Sequence, residues 1–484
     1  MAKEYSADVV VIGSGPSGLA AAAQASEDGA KVVVFEKANV SGGAANMGMG
    51  PFGLETKYQK ANMENVEVKQ AFEEFVEYTH WRTDARLVKK YFENSGATID
   101  WLNETCGIEF AGAKRYFPKA HPTWHIVAVN GGIGRNGGAI MNKGMRDYAI
   151  ENGAEFLMET PATEIIQEGG KITAVKGVDA AGEEVVCKTK AVVIATGGAG
   201  DNPQMIHERT GFTFRENMFS FAIPGLKGDG IHMAEKLGAA STPMGMEMMY
   251  ILPESDMGPD CIPAVFMQPN LMVNKQGKRF INEEQMQNTT FTGNAIAMQK
   301  DAIGFSIIDT KIAKGYMKKG VDIVNFVHHP DDVSDFLDAV ENSLANNNPD
   351  IIKADTLEEL AEKCGINVEN FIEQVEQYNE MCDSYDSLFY KPAQFMKKIE
   401  KGPFYAAGFR PGAYGTLGGI KIDEDCQVLD KEWEPIPGVF ACGTDTCTIF
   451  GDSYMFLLPG NTMGYCINTG RFAGSGAAEF AEEN

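Results

Sequence analysis

Residues 7–38, ADVVVIGSGPSGLAAAAQASEDGAKVVVFEKA, read as strand, glycine turn, helix and strand. The apolar run Asp8 to Ile12 predicts a buried strand, and an Ala-rich helix follows the turn. A break at Gly29 then leads to a second strand, Lys31 to Phe35, which ends in Glu36. Each glycine of the turn has a separate task. Gly13 permits the tight turn, Gly15 lets the backbone approach a pyrophosphate, and Gly18 lets helix and strand pack closely. The phosphates would rest on the helix N-terminus, where Ser17 stands in the first turn. Glu36 lies eighteen residues after Gly18, where a carboxylate can take both hydroxyls of an adenosine ribose and disfavours a 2'-phosphate. The unit predicts a dinucleotide site and leaves NAD and FAD open.

The next stretch, EKANVSGGAANMGMGPFG (residues 36–53), resembles the corresponding segment of the fumarate reductase and succinate dehydrogenase flavoproteins. The resemblance continues in the same order through AVVIATGGAGDNP (191–203), GDGIHMAEKLGA (228–239), GKRFINEE (277–284), GPFYAAGFRPGAYGTLGGIKID (402–423), GVFACGTD (438–445) and PGNTMGYCINTGRFAG (459–474). It implies an α/β fold, a discontinuous Rossmann-like FAD-binding domain (1–246 and 405–484) with an inserted α+β capping domain (247–404). It also implies non-covalent FAD. Beyond the first turn and Glu36, the residues expected at the cofactor are Lys37, Gly42, Gly43, Ala44, Ala162, Ala195, Thr196, Gly197, Asp229, Gly443, Asp445, Gly460, Asn461, Thr462 and Met463. A second literal GxGxxG, Gly132 to Gly137, precedes a helical pattern and Glu159, and offers a rival nucleotide site preceded only by a short polar strand.

Composition narrows the partners. A formal charge of −25 over 484 residues supplies no basic footprint for nucleic acid or an anionic membrane surface. No apolar stretch reaches the roughly 18 residues of a membrane span, and the N-terminus lacks a signal-peptide pattern, so a cytoplasmic location is expected. The nine cysteines are scattered, with Cys442 and Cys447 the closest pair, and no metal, haem or iron-sulfur spacing occurs. Electrons must therefore come from outside, from NADH or from a reduced flavin or ferredoxin partner protein.

The family's dicarboxylate-binding cations are replaced. The resemblance places a His-Pro at Leu252-Pro253, an arginine proton donor at Gln287, a histidine near Tyr414-Gly415 and an arginine at Leu457. These replacements imply a neutral, apolar or aromatic substrate such as a steroid or flavonoid enone, and bring the site closer to the ketosteroid dehydrogenases and isoflavonoid reductases. In that branch a Pro-Gly precedes the last helix, as Pro459-Gly460 does here, and backbone N–H groups near Gly460 and Asn461 would polarise a ketone. The expected proton donor is Tyr414, with Tyr454 second. Arg410, near Tyr414, leaves room for a fumarate-like reductase of an unsaturated carboxylate, with Arg82 as another relocated clamp. A third reading is a flavin carrier without turnover. His80 and His125 beside Trp81 and Trp124 suggest a pocket wall, Arg279 reads as structural, and five methionines in 241–257 read as packing or an adaptable wall. Residues 355–382 carry a Thr356/Glu359 capping box and two helices broken at Gly365, a polar-faced lid.

Overall fold

The computed structural model describes residues 2–219, 223–255, 260–324, 327 and 332–484. In chain order β1 (Val9–Ile12), α1 (Pro16–Glu27), β2 (Val32–Phe35), β3 (Glu155–Leu157) and β4 (Ala191–Ile194) come first. Then follow β5 (Gly245–Ile251), β6 (Leu271–Val273), α2 (Thr289–Ala297), β7 (Gly304–Asp309) and β8 (Ile351–Ala354). The chain closes with β9 (Phe404–Leu417), β10 (Gln427–Leu429), β11 (Pro435–Ala441) and α3 (Asn461–Glu483).

The first sheet has the order β10-β11-β4-β1-β2-β3, parallel except at the β10–β11 edge. Every residue of β1, β2 and β4 is buried, as continuous apolar runs require when helices cover both faces of a parallel sheet. The alanines of α1 serve this layering. Ala20 to Ala23 and Ala25 are fully buried, and Gly470 and Gly474 of α3 lie directly on Ser17, Ala20 and Ala21, so two helices stack without large side chains between them. The Rossmann-like domain is therefore assembled from both ends of the chain, because α3 and β11 are C-terminal.

The second sheet has the order β5-β9-β7-β6, with β8 also paired to β9, and is antiparallel throughout. A second hydrophobic core covers it, running from Tyr250 to Phe409. The sheet extends past residue 404, since β9 continues to Leu417. β5 and β9 pass side by side through three cores: Tyr250 and Phe409 belong to the second core, Met246, Met248 and Ala413 to a small one, and Met244 and Leu417 to the large N-terminal one. Four of the five methionines in 241–257 are thus buried packing residues, and Met257 lies outside the described residues.

Helices Leu357–Cys364 and Val368–Met381 form the expected pair, separated by Gly365 at φ +66°. Thr356 accepts from the Glu359 N–H, but the Glu359 carboxylate reaches back to the Asp355 N–H at 3.0 Å. The Gly132 to Gly137 loop does open a helix, Gly137–Glu151. Its preceding strand, Trp124–Val127, pairs antiparallel with Phe110–Lys114 in a separate two-stranded sheet. No βαβ crossover forms there, so the second glycine motif lacks the geometry of a nucleotide site.

Candidate active site

The turn after β1 is held by contact. At Gly13, φ is +103° and a side chain would collide with the Ala195 carbonyl oxygen at the end of β4. At Gly15 nothing among the described residues occupies the space a Cβ would take, and a Cβ added at Gly43 would lie 3.7 Å from the Gly15 Cα, so the two glycines are neighbours. Gly15 caps α1, whose first-turn N–H groups have no partner within the helix, and Gly43 begins the short Gly43–Met47 turn, which contains Ala44 and follows Gly42 at φ +112°. Glu36 accepts from the Ser14 N–H and hydroxyl, each at 2.7 Å, and from the Ala38 N–H at 2.7 Å. Thr160 N–H bonds the Glu36 carbonyl at 2.8 Å, bringing the strand that starts at Ala162 beside this carboxylate.

Other residues expected at the cofactor bind one another. Lys37 pairs with Asp229 at 2.6 Å and donates to the Gly225 carbonyl. Asp445 is fully buried and accepts from the N–H groups of Thr196 (2.6 Å), Gly197 (3.1 Å) and Gly198 (2.8 Å) and from the Thr196 hydroxyl. Burial pushes its carboxyl up, against these bonds. Its place is to pin the loop after β4. Ser17 and Gly443 are in close contact.

Towards the C-terminus, Gly460 stands at φ +81° and caps α3. A side chain there would meet Trp124 Cδ1 at 2.7 Å and the Phe52 backbone nitrogen at 2.8 Å. Asn461 is completely buried, yet neither its Oδ1 nor its Nδ2 has a partner among the described residues. Met463 lies over Gly48 in the loop that follows Gly43 and Ala44. An orphaned carboxamide at a helix start fits a bound group rich in acceptors and donors, as FAD is.

One residue at this end was not foreseen. Glu247, on β5, accepts from the Thr462 hydroxyl at 2.5 Å, while the Thr462 N–H donates to the Tyr454 phenol oxygen at 3.3 Å. Burial pushes the Glu247 carboxyl up to about 7, although the residue as a whole is only half-buried. The ionisable neighbours it influences, Tyr454, Cys447 and Cys466, are all held neutral by burial. Glu247 sits in a register break: Met246 pairs with Thr416 and Met248 with Ala413, so Tyr414 and Gly415 together oppose it. Such a bulge re-aims side chains, here the carboxyl and the half-buried Tyr414. The available signal was an acid inside the apolar run MGMEMMYI, since a charge in a buried strand needs a reason.

The structure joins Tyr454, Gly460, Asn461, Thr462 and Glu247 in one place. Arg410 is turned elsewhere, donating to the Asp301 carbonyl at 2.6 Å with its guanidinium 5.3 Å from the Phe219 ring. Arg82 pairs on the surface with Asp452 at 2.7 Å. Trp81 is exposed (64%) beside exposed His80, so neither walls a pocket. His125 is buried between Thr56 Oγ1 (2.7 Å) and the Thr123 carbonyl (3.0 Å), and burial lowers it to about 4, which keeps it neutral. Arg279 is enclosed with Glu283 (2.7 Å) and Asp386 (2.9 Å), a buried brace of the second core. Beside Gly460 stands an aromatic wall. Phe456 lies 4.5 Å from Tyr116 and 6.2 Å from Phe117, Tyr116 lies 5.7 Å from Trp124, and all are buried.

Comparison with known proteins identifies the family. The FAD binding domain family matches residues 8–462. The vinyl phenol reductase of Lactiplantibacillus plantarum is 32% identical over 496 residues, covering 100% of this chain and 98% of that protein. The open conformation of a flavocytochrome c3 fumarate reductase superposes with TM-score 0.72 at 25% identity, covering 99% of this chain and 79% of that one. In fold alone, the 3-ketosteroid Δ1-dehydrogenase of Sterolibacterium denitrificans matches with TM-score 0.79 at 20% identity, over 98% and 99% of the two chains. No described helix is long and apolar enough to cross a membrane. The chain belongs to the FAD-binding-domain family of fumarate-reductase-type flavoproteins, and it is an FAD-dependent oxidoreductase acting on carbon–carbon double bonds.

Proposed function

We propose that this enzyme reduces the C=C bond of a neutral substrate in which the alkene is conjugated with a phenol ring or a carbonyl. The observation that carries the reading is the aromatic wall of Tyr116, Phe117, Trp124 and Phe456 beside the N-terminus of α3, together with the surface or backbone pairing of Arg82 and Arg410. A dianion brought to that wall would lose hydration without a cation to replace it. The similarity to a vinyl phenol reductase supports a small aromatic alkene over a steroid.

Bound FAD, once reduced, supplies the hydride equivalent, and the residues of this chain do the rest. The N-terminus of α3, with the unpartnered Asn461 carboxamide in its first turn, favours negative charge that accumulates beside it. Glu247 is the proton source for the second carbon, because its carboxyl is half protonated near neutrality whereas burial keeps the Tyr454 phenol from ionising. Thr462 holds that carboxyl in place. Tyr414, across the bulge, stands second as donor. The aromatic wall excludes water and accepts a flat ring. Residues 247–404 act as the lid over this cleft, and the electrons arrive from NADH or from a reduced flavin or ferredoxin partner.

The test is anaerobic. The holoenzyme flavin is photoreduced and mixed with fumarate, 4-vinylphenol or a cyclic enone while the oxidised flavin band is followed. Reoxidation by 4-vinylphenol or the enone, and not by fumarate, is expected. Reoxidation by fumarate alone would overturn the proposal.

A further inference from the structure

We infer that two ion pairs, Lys119 with Glu284 and Arg135 with Asp260, form an electrostatic latch that holds the lid closed, so that access to the cofactor is set by ionic strength. The inference concerns access and not the identity of the substrate, and it rests on the reading of residues 247–404 as the lid.

Both pairs join the same two bodies. Lys119 Nζ lies 2.8 Å from Glu284 Oε2, and Arg135 Nη2 lies 2.6 Å from Asp260 Oδ2. In sequence, Lys119 stands between Phe117 and Ala120 of the large N-terminal core, and Arg135 between Val127 and Met141 of the same core. Glu284 stands between Ile281 and Met286 of the second core, and Asp260 directly precedes Cys261, which belongs to it. The polarity is the same at both points, with the cation on the parallel-sheet side and the carboxylate on the lid. Acidic residues outnumber basic ones both within 247–404 and in the rest of the chain, so the two bodies repel on average. Attraction is confined to local contacts such as these.

Each cation sits on a fastened segment. After Lys119 the chain is tied to the stretch before α3: the His121 N–H donates to the Leu457 carbonyl at 2.8 Å, and Thr123 Oγ1 donates to the Pro459 carbonyl at 3.1 Å. On the lid, Glu284 is two residues from Met286, whose carbonyl accepts from the Tyr250 hydroxyl at 2.6 Å. Tyr250 is near enough to Tyr116 for the two phenols to act on one another electrostatically. The first pair thus stands where the aromatic wall meets the lid. The second gives the Gly132 to Gly137 motif a task. Val129 and Gly132 exchange backbone hydrogen bonds at 2.8 and 3.1 Å, Asn136 turns at φ +66° into helix Gly137–Glu151, and Arg135 between them reaches Asp260.

Exposure separates this contact from a permanent brace. The Lys119 and Arg135 side chains are 61% and 66% exposed, whereas Arg279 is enclosed with its carboxylates. Exposed pairs are individually weak and are screened by salt, which suits a contact that opens to admit substrate and release product.

The test follows the flavin in the absence of substrate. Acrylamide, a neutral quencher, is titrated into the oxidised holoenzyme while flavin fluorescence is recorded at about 20 mM and about 0.5 M NaCl. In wild type the quenching constant should rise about fivefold between the two salts. Lys119→Glu with Arg135→Glu sets like charges against each other at both points, and should be as open at low salt as wild type is at high salt. Adding Glu284→Lys and Asp260→Lys reverses both pairs, and should restore the protection and its salt dependence. Lys119→Gln with Arg135→Gln, which introduces no repulsion, should lose the salt dependence and serves if the reversed variant does not fold. A wild-type quenching constant indifferent to salt would overturn the latch, as would a reversed or neutral variant that behaves as wild type, or a charge swap that restores nothing. Failure of the alkenes to reoxidise the flavin would overturn the proposed function and leave this result standing.

Discussion

Replacing Glu247 by Gln separates charge from shape, because the Gln carbonyl can still accept from the Thr462 hydroxyl. The carboxyl is pushed from an ordinary 4.5 to about 7, chiefly by burial. A group whose pKa is raised in the fold favours the native state below its unfolded value, and that contribution is lost as pH rises through the folded one. Wild type should therefore lose stability between about pH 4.5 and 7. The shift corresponds to at most about 3 kcal/mol, an upper figure because the carboxyl keeps some access to the cleft. Glu247→Gln should match wild type at pH 5 and exceed it at pH 8 in urea unfolding of the holoenzyme.

Catalysis should move the opposite way. With a pKa of about 7, the protonated fraction falls roughly tenfold from pH 6 to pH 8, and the single-turnover rate of flavin reoxidation by 4-vinylphenol should fall with it. In Glu247→Gln that inflection should vanish and the rate at pH 6 should drop about a hundredfold. Tyr454→Phe should keep the inflection. A Gln variant that is as fast as wild type and retains the same pH profile would refute the assignment of the proton to Glu247, whatever its stability.

Two further perturbations probe the frame. Gly13→Ala places a methyl against the Ala195 carbonyl at φ +103°, and should cost about 1–3 kcal/mol and lower FAD occupancy, read as the ratio of flavin to protein absorbance; full occupancy would contradict the tight-turn argument. Arg279→Met strands Glu283 and Asp386 in the second core and should destabilise by about 3–5 kcal/mol in urea unfolding, with the flavin spectrum unchanged in the folded fraction.

Much of the frame could be read without coordinates because it is local. The β1 turn, the helix of small residues, Glu36 and the Pro459-Gly460 helix start are short-range patterns whose physics is confined to a few residues. The acid proposed as proton source was hidden for the opposite reason. Glu247 acquires its partner Thr462 from a position 215 residues away, and its direction from a register break that no periodicity encodes. Arg410 and Tyr414 are close in sequence on one strand, yet the guanidinium is turned to the Asp301 loop. Gln287 reads as a lost proton donor in isolation. In the fold its amide nitrogen is taken up by the Met267 carbonyl at 2.9 Å, a contact 20 residues away in the chain.

The paired passage of β5 and β9 through all three cores has a mechanical consequence. The two chain crossings between the parallel-sheet core and the second core form one hydrogen-bonded ribbon, with Met248 to Ile251 in register against Ala413 to Arg410. Two free linkers would let the second core slide or swing in any direction. A ribbon is stiff along its length and in its own plane, and it yields by twisting and bending out of that plane. Its weakest point is where the ladder is interrupted, at Glu247 opposite Tyr414 and Gly415. Rocking of one core on the other would bend the ribbon there, beside the carboxyl proposed as the proton source.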